Sequence, residues 1–395
     1  MINRTMYELG SNRSTIRELF EYGNQRAAVV GRENIFDFSI GNPSVPAPDA
    51  VRQAILQEAD ADPVALHGYT SAQGAADVRK ALADDLNRRF GTAYTGDSLY
   101  LTAGAAAALS CAFKALACAG DEFIVFAPYF PEYLMFIEKG AGAKAVVVPP
   151  SVEDFQIDFD ALAARLTPQT KGVVINSPNN PSGAVYSAET MQRLAALLRE
   201  KEAEYGHPIY LISDEPYREI VYDGVETPFA PSYYADTVVC YSYSKSLSLP
   251  GERIGYVLVP PEAAESEALY AAVCGAGRAL GYVCAPSLFQ RVAARCAGLT
   301  GDISTYRASR DLLYNGLTEM GYRCVKPQGA FYLFPQTLEP DDRAFCEKAK
   351  AYDLLVVPGA DFGAPGHMRI SYCVPVSTIE RALPLFRRLA EDYGR

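Results

Sequence analysis

Three apolar runs of the sequence end in polar side chains that a buried strand would not choose. The run PIYLISDEPY ends at Asp214 and Tyr217, the run VVCYSYSKS at Ser242, Ser244 and Lys245, and the run GVVINSPNNPSG at Asn180. A carboxylate at the end of a buried strand is costly unless a cation or hydrogen-bond donors face it. Taken singly, Asp214 would cap a turn and Lys245 would be solvated. Taken together, these groups indicate a site for binding and proton transfer.

The segment LTAGAAAALSCAFKALACAGD, which begins at Leu101, predicts a helix of small residues after Thr102 and Gly104. The backbone amides of Ala105 and Ala106 would be unpaired in its first turn, and the helix dipole would point the same way. No bulky side chain would block an anion there, so a phosphate fits. An Ala-rich helix by itself, however, is more often simply a tightly packed helix.

Short β-branched runs that alternate with helical patterns must position these groups. The predicted strands are 122–128, 143–149, 172–178, 208–216, 237–244 and 253–260. Several are apolar at nearly every residue, which is typical of strands covered on both faces in a mainly parallel sheet. Ligands of such sheets bind outside the carboxyl ends of the strands, where the polar groups above would meet.

Helix start and stop signals flank the longer patterns. We expect Asp49 and Ser187 to be N-caps, and Thr15 to form a capping box with Glu18. Gly91 is expected to end a helix over 75–90.

The 395 residues suggest two domains. After about residue 287 the pattern changes to long helices with short strands, which predicts a smaller α+β domain joined by the N-terminal segment. We predict a large α/β domain at 46–290, with a three-layer, mostly parallel sheet and helices on both faces. Residues 1–45 with 291–395 would form the small domain.

Composition argues against several kinds of partner. The chain has 36 Lys and Arg against 47 Asp and Glu, a net charge of −11, so we expect neither nucleic acid nor membrane. No apolar run approaches the ~20 residues of a membrane span, and the N-terminal segment lacks a signal-peptide pattern, so a cytoplasmic location is expected. Nine cysteines without a Cys-x-x-Cys pair should be reduced core thiols, and three scattered histidines predict no metal site.

The string SYSKSLSLPGERIGY, preceded by SDEPY and NSPNNPSG and followed by MRISYC, resembles the class I aminotransferase family. These are pyridoxal 5′-phosphate (PLP) enzymes with the fold of aspartate aminotransferase, PLP-dependent transferase fold type I. The match runs in order from IGNPSVPAP to Arg369, over nearly the whole chain. Such an ordered set is specific for the family but says much less about the substrate.

The resemblance implies a role for each matching residue in holding the cofactor. Lys245 would form the Schiff base with PLP, and Asp214 would pair with the pyridine nitrogen. Asn180 and Tyr217 would hydrogen-bond the phenolate oxygen. The phosphate would be held by Ser242, Ser244, Arg253 and the amides of Ala105 and Ala106.

Other matching positions imply roles toward the substrate and a second subunit. Phe130 stands where many relatives place a tryptophan that stacks on the cofactor ring. Arg369 would bind the substrate α-carboxylate, with Gly41 and Asn180 beside it. Tyr69 resembles the tyrosine that reaches the phosphate of the neighbouring subunit, which implies a homodimer. Relatives often carry a hydroxyl or lysine near the positions of Ala105 and Ala106, where this chain offers only backbone.

The activity implied is transfer of an amino group between an L-amino acid and a 2-oxo acid by a ping-pong mechanism, with Lys245 as general base and then acid. A PLP-dependent β-lyase or decarboxylase on the same fold is the alternative, because the same residues serve each reaction. A non-catalytic PLP-binding module would need a DNA-binding domain, for which the N-terminal segment leaves little room. A dicarboxylate substrate would need a second cation, from Arg278, Arg17 or Arg26, although each is more typical of a surface arginine.

Overall fold

A computed structural model describes residues 2–11 and 14–395 of the chain. Its strands are β1 (Phe36–Asp37), β2 (Leu99–Thr102), β3 (Glu122–Phe126), β4 (Lys144–Val148), β5 (Thr170–Asn176), β6 (Tyr210–Asp214), β7 (Thr237–Ser242), β8 (Gly255–Leu258), β9 (Tyr332–Leu333), β10 (Leu354–Leu355), β11 (Val357–Pro358) and β12 (Met368–Ser371). Seven of them form one sheet in the order β2-β8-β7-β6-β5-β3-β4.

The large sheet is mostly parallel. Strands β4, β3, β5, β6 and β7 run parallel to one another, and β8 is antiparallel to both β7 and β2. All six predicted strands of this sheet are confirmed. Strand β2 was not predicted, because four residues directly before an Ala-rich helix carry too little pattern of their own to indicate a strand.

The α-helices of the described chain are α1 (Arg4–Ser11), α2 (Thr15–Val30), α3 (Asp49–Ala59), α4 (Pro63–His67), α5 (Ala76–Phe90), α6 (Gly104–Leu116), α7 (Glu132–Leu134), α8 (Phe159–Ala163), α9 (Ala188–Tyr205), α10 (Tyr243–Ser246), α11 (Ser266–Ala279), α12 (Ser287–Arg295), α13 (Ile303–Glu319), α14 (Asp342–Lys350) and α15 (Val376–Glu391). A π-helix, Met135–Ala141, follows α7, and 3₁₀ turns lie at Arg32–Asn34, Gly96–Ser98, Ala230–Ser232 and Gly359–Phe362.

Successive residues of the central strands pack against opposite helical layers. Val174 and Ile212 belong to the core that contains α6 and α11, whereas Val173 and Leu211 belong to the core that contains α9. Toward the β2 edge, α5 and α12 cover the same face as α9. Because both faces are covered, every residue of β6 and β7 is buried, and the sheet is the middle of three layers.

A second core lies outside the large sheet. Strands β11, β12 and β9 form an antiparallel sheet, and β1 pairs with β10 in parallel register, Phe36 with Leu354. Phe38 and Phe386 of this core are both fully buried. The N-terminal segment therefore packs with the C-terminal part of the chain. The division at residue 290 stays a prediction; position 290 lies within α12, whose Val292 packs in the large-sheet core.

Two of the predicted helix signals are confirmed and two are wrong. The Ser187 hydroxyl accepts a hydrogen bond from the Thr190 amide at 3.0 Å, and Gly91 ends α5 in the left-handed conformation. Asp49 is the first residue of α3, because Pro48 already occupies the cap position in extended geometry. Thr15 lies inside the first turn of α2, so its capping box does not form; the cap position is the residue before it, whose side chain makes no capping bond.

Within the described residues, no helix has the length and apolar character needed to cross a membrane, and no three His, Cys, Asp or Glu side chains cluster as metal ligands would. All nine cysteines are free thiols, and Cys118 is exposed rather than part of a core.

The two hydroxyl residues predicted to be caps give a matched test. Ser187→Ala removes the bond to the first turn of α9 and should lower the free energy of unfolding by about 1 kcal/mol. Thr15→Ala, the control, should change it by less than about 0.5 kcal/mol, because it breaks no cap and alanine favours helix. Urea denaturation measures both values. Equal losses for the two variants would contradict the cap assignments.

Candidate active site

A cavity of ≈ 300 Å³ lies at the carboxyl ends of β5, β6 and β7. It is lined by all but one of the predicted site residues: Gly41, Ala105, Ala106, Phe130, Asn180, Asp214, Tyr217, Ser242, Ser244, Lys245, Arg253 and Arg369. The exception, Tyr69, lies outside this cavity and is 93% exposed. The remaining lining residues were not predicted: Ile16, Ile40, Leu109, Asn176, Pro216, Pro250 and Tyr332.

Asp214, at the end of β6, is a buried acid in which one of the two carboxylate oxygens has no hydrogen-bond partner within the described chain. Its Oδ2 accepts a hydrogen bond from the Tyr133 hydroxyl at 2.5 Å, and Asn176 Nδ2 donates to its backbone oxygen at 2.9 Å. Its Oδ1 is buried and has no partner within the described chain. Burial raises the pKa of Asp214 to about 7; the Tyr133 bond opposes this shift and the Glu215 charge adds to it. The carboxylate therefore lacks a cation or a donor on the cavity side.

Lys245 follows the end of β7, in the short helix α10. Its Nζ donates to the Gly41 carbonyl at 2.5 Å. Burial lowers the pKa of Lys245 to about 8; the nearby Cys373 thiol opposes this shift, and the cations Arg369 and Arg253 add to it. Part of the amine is therefore neutral near pH 8, and a neutral amine is a nucleophile and a base.

Ser242, Ser244 and Arg253 meet at the start of α6. The two serine hydroxyls lie 2.8 Å apart, and Arg253 Nη1 donates to Ser244 Oγ at 3.2 Å. Arg253 Nη2 also donates to the carbonyl of Ala103 at 3.3 Å. A Cβ atom at Gly104 would lie only 2.5 Å from that nitrogen, so glycine lets the guanidinium approach the helix. Hydroxyls, a cation and free helix amides together suit a phosphate dianion.

Arg369, on β12, is a fully buried cation without a carboxylate partner among the described residues. Its Nη1 donates to Asn180 Oδ1 at 3.1 Å, its Nη2 donates to the Ser39 carbonyl, and its Nε has no partner in the described chain. Burial lowers its pKa from the ordinary value. A ligand carboxylate would supply the missing negative charge.

Three unpredicted residues hold the predicted ones. The Tyr133 hydroxyl donates a hydrogen bond to Asp214, and the backbone amide of Asn180 donates one to Asn176 Oδ1 at 2.7 Å. The Tyr332 hydroxyl lies 2.8 Å from the Tyr217 hydroxyl. Asn176 ends β5, so the polar-strand-end signal could have found it. No local signal marks Tyr133 or Tyr332, because each acts on a residue distant in sequence.

The arginines predicted for a distal carboxylate do not line the cavity. Arg26 pairs with Asp353 at 2.7 Å, and Arg17 and Arg278 are exposed. The neighbouring Ile16 of α2 does line it. Among the described residues of this chain, the cavity therefore has no arginine in its lining besides Arg253 and Arg369.

Comparison with known proteins agrees with this geometry. The family model "Aminotransferase class I and II" matches residues 33–385. The aspartate/prephenate aminotransferase of Thermus thermophilus is 32% identical over 374 residues, which cover 93% of this chain and 94% of that protein. A crystal structure of an amino transferase from Eubacterium rectale has 60% identity and a TM-score of 0.98, over 100% of both chains. That of the aspartate aminotransferase from Thermus thermophilus with maleate has 28% identity and a TM-score of 0.84, covering 98% of this chain and 100% of that one.

The three-layer sheet with its site at the strand ends defines an α/β enzyme of the aspartate aminotransferase fold. The chain belongs to the aminotransferase class I and II family and is an aminotransferase.

The lowered pKa of Lys245 predicts a pH-dependent stability of the ligand-free protein. Between pH 8 and pH 10.5 the unfolded chain binds more protons at this amine than the folded one, so its contribution to stability rises with pH and is lost as pH falls. Lys245→Met removes this dependence. The variant should therefore be more stable than wild type at pH 8. This difference in the free energy of unfolding should shrink by on the order of 3 kcal/mol by pH 10.5.

Urea denaturation at the two pH values gives this difference, and other titrating groups cancel because both proteins contain them. Lys114→Met, at an exposed position on α6, is the control and should follow wild type. If the Lys245→Met curve instead runs parallel to that of wild type, the amine is not desolvated.

Proposed function

We propose that this aminotransferase binds pyridoxal 5′-phosphate in the cavity and moves an amino group between an L-amino acid and a 2-oxo acid by a ping-pong mechanism. The observation that carries the proposal is one cavity with two buried groups of opposite kind. These are Lys245, whose pKa is lowered to about 8, and Asp214, whose pKa is raised to about 7. Groups tuned toward neutral pH are suited to acid–base and nucleophilic chemistry.

The described residues fit this cofactor. The unpaired Oδ1 of Asp214 would be satisfied by a protonated ring nitrogen. Ser242, Ser244, Arg253 and the first amides of α6 suit the phosphate. Asn180 Nδ2 and the Tyr217 hydroxyl are available as donors to the phenolic oxygen, and Phe130 supplies an aromatic surface in the lining.

When bound, the cofactor supplies an aldehyde that condenses with amines and a ring that accepts electrons from the substrate carbon. Lys245 Nζ is the one amine that lines the cavity in the described chain, so it is the group that removes the proton from the substrate Cα and returns it. Arg369 orients the substrate carboxylate through parallel N–H···O bonds. Asp214 keeps a proton on the ring nitrogen.

The substrate class follows from the same lining. Arg369 accounts for an α-carboxylate, and the relatives that are named for aspartate or prephenate act on carboxylic substrates. A second carboxylate would need another cation, and Arg17, Arg26 and Arg278 of the same chain do not line the cavity. Recognition of a dicarboxylate would therefore depend on a neighbouring subunit, whereas Ile16 of α2 in the lining favours an apolar side chain. A panel of amino acids with 2-oxoglutarate would rank the two classes.

We also propose a homodimer in which Tyr69 completes the phosphate site of its partner. The Tyr69 side chain is 93% exposed and Val64 of the same segment is 80% exposed, so both are accessible to a second subunit. Both lie on a segment that packs on α12: the Ser287 hydroxyl donates to the Leu66 carbonyl at 2.6 Å.

Replacement of the lysine tests the proposed function directly. Lys245→Ala should lower kcat at least about a thousandfold, because it removes both the nucleophile and the proton carrier. Lys114→Ala is the control and should keep wild-type turnover. Borohydride reduction of the PLP-loaded protein, followed by peptide mass spectrometry, should place the label on Lys245. A label on another lysine, or pyruvate and ammonia formed from a cysteine conjugate without an oxo acid, would contradict the proposal.

Mixed dimers test the role of Tyr69. Tyr69→Ala and Lys245→Ala homodimers should both be inactive at a PLP concentration too low to fill the weakened phosphate site. Co-expressed chains should recover about a quarter of wild-type activity, because half of the dimers are hybrids and each hybrid holds one complete site. No recovery, with dimers present by size-exclusion chromatography, would show that each chain uses its own Tyr69. An active Tyr69→Ala homodimer would show that the phosphate site does not need Tyr69.

A further inference from the structure

Tyr332 of β9, which no sequence signal marked, contacts three residues of the active site. Its hydroxyl lies 2.8 Å from the Tyr217 hydroxyl, and both side chains are buried. The Arg369 guanidinium carbon lies 4.9 Å from the centre of its ring. A Cβ atom at Gly41 would clash with the Tyr332 hydroxyl, so residue 41 is glycine where that hydroxyl must pass. The Gly41 carbonyl in turn accepts a hydrogen bond from the Lys245 amine.

The two hydroxyls can share their protons in only two ways. Neither has another hydrogen-bond partner among the residues that the structure describes. If Tyr217 donates to Tyr332, the cavity meets only lone pairs of Tyr217, and the Tyr332 proton stays unpaired in a buried position. If Tyr332 donates to Tyr217, the Tyr217 proton is free for an acceptor in the cavity. Because buried donors need partners, an anionic oxygen in the cavity selects the second arrangement.

We propose that Tyr332 is a positioning residue that donates to Tyr217 and thereby directs the Tyr217 proton onto the phenolic oxygen of bound pyridoxal phosphate. This inference rests on the proposed function, since it needs that cofactor in the cavity. A hydroxyl that accepts one hydrogen bond becomes a stronger donor in the next. Tyr332 therefore helps to hold the phenolic oxygen of the cofactor as an anion. This lowers the pKa of the bound cofactor, which is measured from its absorbance as the pH is varied.

Burial keeps both phenols protonated, although the Arg369 cation opposes this effect. Arg369 faces both hydroxyls, Asp214 faces Tyr217, and Cys373 faces Tyr332. Burial raises the pKa of Tyr332 to about 12 and raises that of Tyr217 well above its ordinary value. Both groups therefore act as hydrogen-bond donors throughout the neutral range.

Tyr332→Phe removes the hydroxyl and keeps the ring beside Arg369. In a pH titration, the absorbance of the bound cofactor should change with a midpoint about half a pH unit or more above that of wild type. The PLP dissociation constant should increase several-fold. Tyr372→Phe is the matched control, because it removes a buried hydroxyl that donates to the Ala330 carbonyl at 3.2 Å and does not line the cavity. Its midpoint should equal that of wild type.

Two further proteins separate positioning from packing. In the Tyr217→Phe background, Tyr332→Phe should cause no additional shift, because the hydroxyl through which it acts is gone. Replacement of Tyr332 by 3-fluorotyrosine makes its hydroxyl a stronger donor and should move the midpoint downward, the opposite direction from Tyr332→Phe. This substitution also serves if Tyr332→Phe does not fold.

The outcomes are distinct. An unchanged midpoint in folded Tyr332→Phe, an equal shift in the Tyr217→Phe background, or an unchanged or raised midpoint with 3-fluorotyrosine would overturn the role of Tyr332. Wild-type protein that shows no cofactor absorbance with added PLP would overturn the proposed function instead, before any variant is compared.

Discussion

One buried carboxylate oxygen is the constraint on which the active site depends. Asp214 Oδ1 has no partner within the described chain, while Tyr133 binds the other oxygen and Asn176 holds the backbone. An acceptor in this environment is destabilising until a donor or a cation reaches it, and burial accordingly raises the pKa of Asp214. The cavity in front of it therefore contains an acceptor that a ligand donor or cation would satisfy, and the same cavity is lined by Lys245, Ser242, Ser244, Arg253 and Arg369.

A buried ion pair lies directly after the strand that carries Asp214. Directly after Asp214, Glu215 forms a buried ion pair with Arg218 at 2.5 Å and accepts the Ser213 hydroxyl at 2.7 Å. The Arg218 guanidinium lies 4.6 Å from the Tyr241 ring centre. Removal of one member of such a pair would leave an uncompensated buried charge, so both members contribute to the geometry of the segment after β6. That geometry holds Asp214 at the strand end without a cation of its own.

The site is also a contact between two cores. Asp214 ends β6 of the large sheet and Lys245 lies in α10, directly after β7 of that sheet. Arg369 and Tyr332 come from the small antiparallel sheet, and Gly41 comes from the N-terminal segment. The Tyr217–Tyr332 pair and the Lys245–Gly41 bond cross between these parts. Arg369 and Lys245 therefore take their relative positions only when both cores have folded.

Runs of apolar residues that end in polar ones are local information, so the sequence by itself determined the central strands and the cavity positions of Lys245 and Asp214, and a local cap signal determined the helix cap at Ser187. Arg369 was placed in the site only by the resemblance to the class I aminotransferase family. The role of each residue and the subunit contact of Tyr69 stay predictions. Local patterns misplaced Thr15 and Asp49 by a single residue, because a cap depends on backbone angles that neighbouring proline and serine decide. Only the tertiary structure decided that Tyr133 binds Asp214 and that Tyr332 binds Tyr217. Those pairs are 81 and 115 residues apart in sequence, and such contacts arise from packing that no local pattern encodes.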